Sequence, residues 1–170
     1  MKKTKTKKLV FMALLTAISL GIWAAEAQIP PIVPIPGIKL GLANIVTLAA
    51  MALLGRKEAG SVLIARIVLG SLFAGSFSAI LFSLAGGALA WGAMALTIGR
   101  FDAKKLWVVS VFGSVAHNAG ELGAAVVVTK TVSLLWYGPA LLASGIVTGA
   151  FTGVAAVYLV KATRPFAKDL

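Results

Sequence analysis

Apolar residues run in long blocks along this chain, broken by short basic or proline-rich stretches, and they rarely alternate with polar ones. Blocks at about 9–28, 39–54, 57–74, 77–98, 105–129 and 133–160 approach the roughly 20 residues that a helix needs to cross a bilayer. The second and third are short for a crossing. The pattern predicts an all-α integral membrane bundle of six helices, a single domain over residues 1–170. Between the first two blocks, Ile29-Pro-Pro-Ile-Val-Pro-Ile-Pro-Gly-Ile38 holds four of the six prolines. Proline lacks the amide donor and clashes with the preceding turn, so this segment reads as a stiff, extended connector.

Small residues return at helical spacing inside the blocks: Ala13-x-x-x-Ala17, Ala116-x-x-x-Gly120-x-x-x-Ala124 and Gly145-x-x-x-Gly149-x-x-x-Gly153. Helices in lipid gain little from hydrophobic association, and close backbone approach over small residues holds them together. Packing inside the bundle is the plain expectation for such stripes.

Composition turns this pattern into a class. Hydrophobic residues make up 59% of the chain and charged ones 12%, against about 25% charged in ordinary globular proteins. A soluble domain of this length could not bury so much apolar surface. The net charge of +11 would suit a nucleic-acid partner, but the basic residues fall between the apolar blocks instead of along one face, so no nucleic acid is expected.

With six spans, thirteen lysines and arginines fall on the side of the two termini and only Lys39 and Lys130 on the other. That split predicts a multi-pass protein of the cytoplasmic membrane with both termini in the cytoplasm. Trp23, Trp136 and Tyr137 then lie near the outer interface, and Trp107 and Tyr158 near the inner one. Arg66, the one basic residue left over from this count, lies inside the third block. The first block also fits a cleavable signal peptide, with a basic start, the apolar run Leu9–Ala25 and the small-residue pattern Ala25-Glu-Ala27. That run exceeds the usual 7–15 residues, and a retained first helix is the expectation.

Little in the sequence speaks for catalysis. It has no phosphate-binding Gly-Lys-Ser/Thr loop, so Gly86-Gly87 reads as a packing site. One histidine without cysteine makes a metal site unexpected. Asp102 and Asp169 are the only aspartates and neither has an acidic neighbour, which leaves no acidic pair for magnesium-bound diphosphate. No catalytic residues, cofactor or metal are expected, and the protein is read as a non-enzyme.

The polar chemistry gathers in Ser114-Val-Ala-His-Asn-Ala-Gly-Glu-Leu122. At 100° per residue His117, Asn118 and Glu121 share an arc of about 100°, with His117 and Glu121 one turn apart. Near mid-membrane depth such groups face a bundle interior or a watered cavity. Arg66 lies at similar depth and is a possible partner for Glu121. Glu26, Lys39 and Asn44 extend the set outward. A single such residue could be interhelical glue, and Glu26 and Lys39 could simply snorkel to the interface. Together the seven suggest an outward-opening pocket for a small polar or amphipathic solute, roofed by the proline connector.

Three strings carry a resemblance: Pro36-Gly-Ile-Lys-Leu-Gly-Leu-Ala-Asn-Ile45, Phe82-Ser-Leu-Ala-Gly-Gly87 and Val115-Ala-His-Asn-Ala-Gly120. Over residues 9 to 160 the chain resembles the Gx transporter family, whose members are often labelled heptaprenyl diphosphate synthase component I. That family is related to the S-components of energy-coupling factor (ECF) vitamin transporters. The resemblance implies a six-helix S-component fold that captures a vitamin-like or isoprenoid- or quinone-related solute from outside. It also implies a transmembrane coupling protein and two ATPase subunits as partners, with Ala13 and Ala17 matching the Ala-x-x-x-Ala docking motif on the first helix. An alternative is a non-transporting membrane partner in quinone or isoprenoid synthesis or in flavin-based extracellular electron transfer.

Overall fold

The computed structural model describes residues 2–29, 41–75, 77–102 and 105–167. The proline-rich connector and Lys39 lie outside the described residues. Among the described residues six α-helices follow one another: α1 (Lys2–Glu26), α2 (Asn44–Leu54), α3 (Arg56–Ala74), α4 (Phe77–Thr97), α5 (Leu106–Thr129) and α6 (Gly138–Ala167). Short 3-10 turns, Ile98–Arg100 and Val132–Tyr137, follow α4 and precede α6.

The helices depart from the apolar blocks at their ends. Helix α1 extends back through the N-terminal lysines and α6 runs forward past Pro165, because lysine is a good helix former and polarity outside the membrane does not stop a helix. At the other extreme α2 has only 11 residues. At 1.5 Å per residue it reaches about 16 Å, half of a hydrocarbon core of about 30 Å. Gly55 ends α2 and starts α3 in one residue: at φ 107° it occupies a conformation open to glycine, its N–H bonds to Met51 O, and its own carbonyl accepts Ala59 N–H.

Among the described residues, four segments are long and apolar enough to cross a membrane: Lys5–Glu26, Ile80–Arg100, Leu106–Thr129 and Val132–Ala167. Their outer faces carry large apolar side chains such as Leu14, Leu96, Val147 and Phe151. This is a membrane protein. Helix α3 is 19 residues long but bears Arg56, Lys57 and Glu58 at its start and Arg66 in its middle.

The main core gathers around α2, in which residues 46–51 are all buried. Phe11 and Leu15 of α1, Val62 of α3, Met94 of α4, Val109 of α5 and Ala156 of α6 close around Val46, Leu48 and Met51. A second apolar cluster joins Phe82, Leu122, Ala125 and Leu141 across α4, α5 and α6. At the end of α1 away from Glu26, Lys8 Nζ donates to Glu58 Oε1 at 2.5 Å and ties α1 to the start of α3.

The small-residue stripes on α5 and α6 are packing seams. A side chain at Gly145 would meet Val115 Cα at 3.2 Å, one at Gly149 would meet Val111 Cα at 2.6 Å, and one at Gly153 would overlap Trp107 Cα. Each step of four along α6 is matched by four back along α5, the register of an antiparallel pair in backbone contact. On the α4 side, a Cβ at Gly120 would meet Ala85 O at 2.5 Å. Ala13 and Ala17 are exposed on the outer face of α1, turned away from buried Leu15 and Ser19.

Candidate functional site

Five of the polar residues singled out in the sequence converge from four helices. Glu26 is the last residue of α1, Asn44 the first of α2, Arg66 sits midway along α3, and His117 and Glu121 lie one turn apart on α5. All five are at most 4% exposed. With Trp23, Gly41, Ala43 and Ser83 they line a cavity of about 10 Å³, room for about one water molecule.

The Glu26 carboxylate ties α1 to the start of α2. It accepts the N–H of Gly41 at 2.6 Å on Oε1 and that of Leu42 at 3.1 Å on Oε2. Amide donors just ahead of a helix lack intrahelical partners, and a carboxylate is well placed to receive them. Gly41 has no alternative as a residue type. Its φ is +73°, and a Cβ there would come within 3.0 Å of His117 Cδ2 and 3.1 Å of Asn44 Nδ2.

On α5, His117 Nε2 lies 3.2 Å from Glu121 Oε1, an i,i+4 pair within the protein interior. This pair is pressed against α4 at Gly86, where a Cβ would approach Glu121 Cγ and His117 Cε1 to 2.8 Å. Gly86 is thus a packing glycine that admits the two polar side chains. Glu121 therefore has His117 as its close partner. Arg66 feels the carboxylates of Glu26 and, to a lesser extent, Glu121, but its Nε is buried without a hydrogen-bond partner. The helical spacing of four gives Glu121 a partner on its own helix.

Asn44 has both side-chain polar atoms buried without partners: neither Oδ1 nor Nδ2 makes a hydrogen bond. His117 Nδ1, which faces Gly86, is likewise unpartnered. Buried polar groups in proteins are nearly always satisfied, and three of the four residues with buried unpartnered atoms among the described residues line this cavity.

Asn118 does not join them. Its Nδ2 donates to Leu141 O at 2.7 Å and to Ser144 Oγ at 3.3 Å, so it faces α6 across the seam. One residue along a helix is a turn of 100°, enough to carry Asn118 from the cavity wall to the neighbouring helix. Lys39 lies outside the described residues. Sequence reasoning missed Trp23, Gly41, Ala43 and Ser83. Trp23 was placed in the interfacial belt, yet it stands one turn before Glu26 and packs on Gly70; the i,i+3 spacing to Glu26 was the available signal. Ser83, three residues before Gly86, offered the same kind of clue.

A profile of the family described as heptaprenyl diphosphate synthase component I matches residues 15–159. No curated protein and no solved structure matches the chain. The matched stretch runs from α1 into α6 and takes in every residue of the cavity. By that match the chain belongs to the heptaprenyl diphosphate synthase component I family.

Proposed function

We propose that the protein is the solute-binding membrane subunit of an ECF-type transporter, receiving a small solute at the cavity between α1, α2, α3 and α5. One observation carries this reading: Asn44 and Arg66 present buried, unpartnered polar atoms to a shared cavity. Each such atom costs about 1–3 kcal/mol when left unmet. A protein that merely anchored an enzyme would be more stable with apolar residues there, whereas a binding protein needs those atoms available. The cavity as it stands is water-sized, so a larger solute requires the first turn of α2 to move off α5.

On this reading the chain crosses the membrane six times in an S-component-like bundle, with α2 and α3 forming shorter passes beside the four long ones. The charge distribution orients both termini to the cytoplasm. Helix α1 then belongs to the working protein, since it supplies Phe11 and Leu15 to the core and Glu26 to the site. The exposed face with Ala13 and Ala17 suits close contact with a helix of a coupling protein working with two ATPase subunits.

The test is to purify the chain in mild detergent from cells, denature it and identify small molecules released in stoichiometric amount. One solute is expected from the wild type and none from a folded Asn44→Leu/Arg66→Met double variant. Release of none from the folded wild type, with retention by a prenyl-synthase partner in pull-down, would favour a non-transporting membrane partner. Orientation is checked separately. The chain has no cysteine, so single cysteines report cleanly: Lys130→Cys is expected to react with an impermeant thiol reagent added outside intact cells, and Lys57→Cys to be protected.

A further inference from the structure

The cavity's satisfied and unsatisfied atoms together describe the chemistry of what fits it. Glu26 is engaged by two backbone amides and Glu121 by His117. The atoms left over at the cavity are the Arg66 Nε–H donor, the Asn44 Nδ2 amide hydrogens and the Asn44 Oδ1 acceptor; the fourth unpartnered atom of the lining residues, His117 Nδ1, is turned against Gly86. Because both amide atoms of Asn44 are unpartnered, this inventory is the same whichever way the amide is turned. A carbonyl oxygen on the solute can accept from Arg66 and from the Asn44 amide nitrogen, while an adjacent N–H donates to Asn44 Oδ1. Trp23 adds a flat aromatic wall beside these groups.

The charges point the same way. Among the described residues the cavity has two carboxylates, Glu26 and Glu121, against the Arg66 guanidinium and the His117 imidazole, which is already engaged by Glu121. A diphosphate or a carboxylate entering it would meet like charge at short range in a poorly solvated space. To take over the Gly41 and Leu42 amides, it would have to expel Glu26 and leave that carboxylate buried without them. A neutral solute has neither problem.

Resting on the proposed binding function, we infer that the cavity recognises the neutral amide-type edge of its solute, a C=O beside an N–H as in a carboxamide, lactam or cyclic imide. Asn44 is the specificity-determining residue, and diphosphates and simple carboxylates are excluded. A site whose polar atoms are matched by the ligand discriminates sharply against an analogue that leaves them unmet.

The experiment is thermal unfolding of the full chain in detergent with matched probes at millimolar concentration: nicotinamide against nicotinic acid, uracil against orotic acid, and inorganic diphosphate. At least one neutral member is expected to raise the midpoint in a dose-dependent way, with its anionic counterpart weaker by about tenfold or more, the consequence of losing one hydrogen bond and adding a charge. Asn44→Asp, which removes the amide donor and adds charge, should abolish the neutral response. If that variant does not fold, the neutral-against-anionic comparison on the wild type decides alone. Stabilisation by nicotinic acid, orotic acid or diphosphate at equal or lower concentration overturns the inference. If that response disappears in Arg66→Met, the cavity is still a solute site of a different class. A neutral response that survives Asn44→Asp also overturns it. Absence of any response, with no solute released from the folded wild type, overturns the binding function along with it.

Discussion

Helix α5 has two polar faces, and they are built on opposite principles. Toward α6 most of its polar groups are engaged: Ser110 and Thr152 hydroxyls meet at 2.8 Å, Asn118 bonds to Leu141 O and Ser144, and glycines let the backbones touch, while the Ser114 hydroxyl beside Gly149 makes no hydrogen bond. Toward α2 and α3 it presents His117 and Glu121 to a cavity where Asn44 and Arg66 hold unpartnered atoms. Both faces would read as polar stripes within an apolar helix. What separates them is how many hydrogen bonds cross to the neighbouring helix: the first face is bonded to α6 at Ser110 and Asn118, and on the proposed reading the second keeps its partners' atoms for a solute.

The strongest way to break this comparison is at the seam. Gly149→Leu must push Val111 away from α6, and we expect a loss of about 3 kcal/mol or more, seen as a collapse of the unfolding midpoint and yield in detergent. Next comes Gly41→Ala, where the left-handed backbone alone costs about 1–2 kcal/mol and the new Cβ crowds His117. This variant should lose both stability and solute response, because residue 41 belongs to the cavity wall.

Double-mutant cycles sharpen the cavity side. The coupling between His117→Gln and Glu121→Gln should reach about 1 kcal/mol and exceed that between Arg66→Met and Glu121→Gln. The reverse order would make Arg66 the principal partner of Glu121.

The two asparagines then give the cleanest contrast. Asn118→Leu should destabilise by about 1 kcal/mol, the worth of an interhelical hydrogen bond in a membrane protein. Asn44→Leu removes an unsatisfied group and should leave the midpoint unchanged or raised while abolishing solute response. Equal destabilisation by both would end the distinction between glue and site. Smallest of all, Ala13→Leu and Ala17→Leu alter an exposed face and should shift stability by less than about 0.5 kcal/mol, with any effect confined to co-purification of a coupling protein.

Much of this was legible in the sequence because a bilayer imposes simple rules. Apolar blocks marked the helices, with α4 and α5 found to within a residue, since caps matter little where the medium itself enforces helix. The stripe of glycines on α6 predicted a tight seam for the same reason. His117 and Glu121 were recognisable as a pair from their spacing of four. The partners across the cavity were harder. Gly41 depends on a positive φ and on the approach of His117 from 76 positions away, neither of which leaves a local trace. Asn118 and His117 are neighbours in sequence, and only the placement of α6 decides which of them reaches the cavity.

The bonds from Glu26 to Gly41 and Leu42 also bear on how the chain is made. Helix α3 carries a guanidinium at its middle, and on the six-pass reading its entry into the bilayer is opposed by about 2.5–3.5 kcal/mol for that residue alone. Glu26 is synthesised forty residues earlier and is held at the start of α2 by backbone amides, so a countercharge is already waiting when Arg66 leaves the ribosome. His117 and Glu121 arrive only after α4 has been inserted. On that reading the early half of the protein enters the membrane with its charges balanced, and the proposed site is completed last.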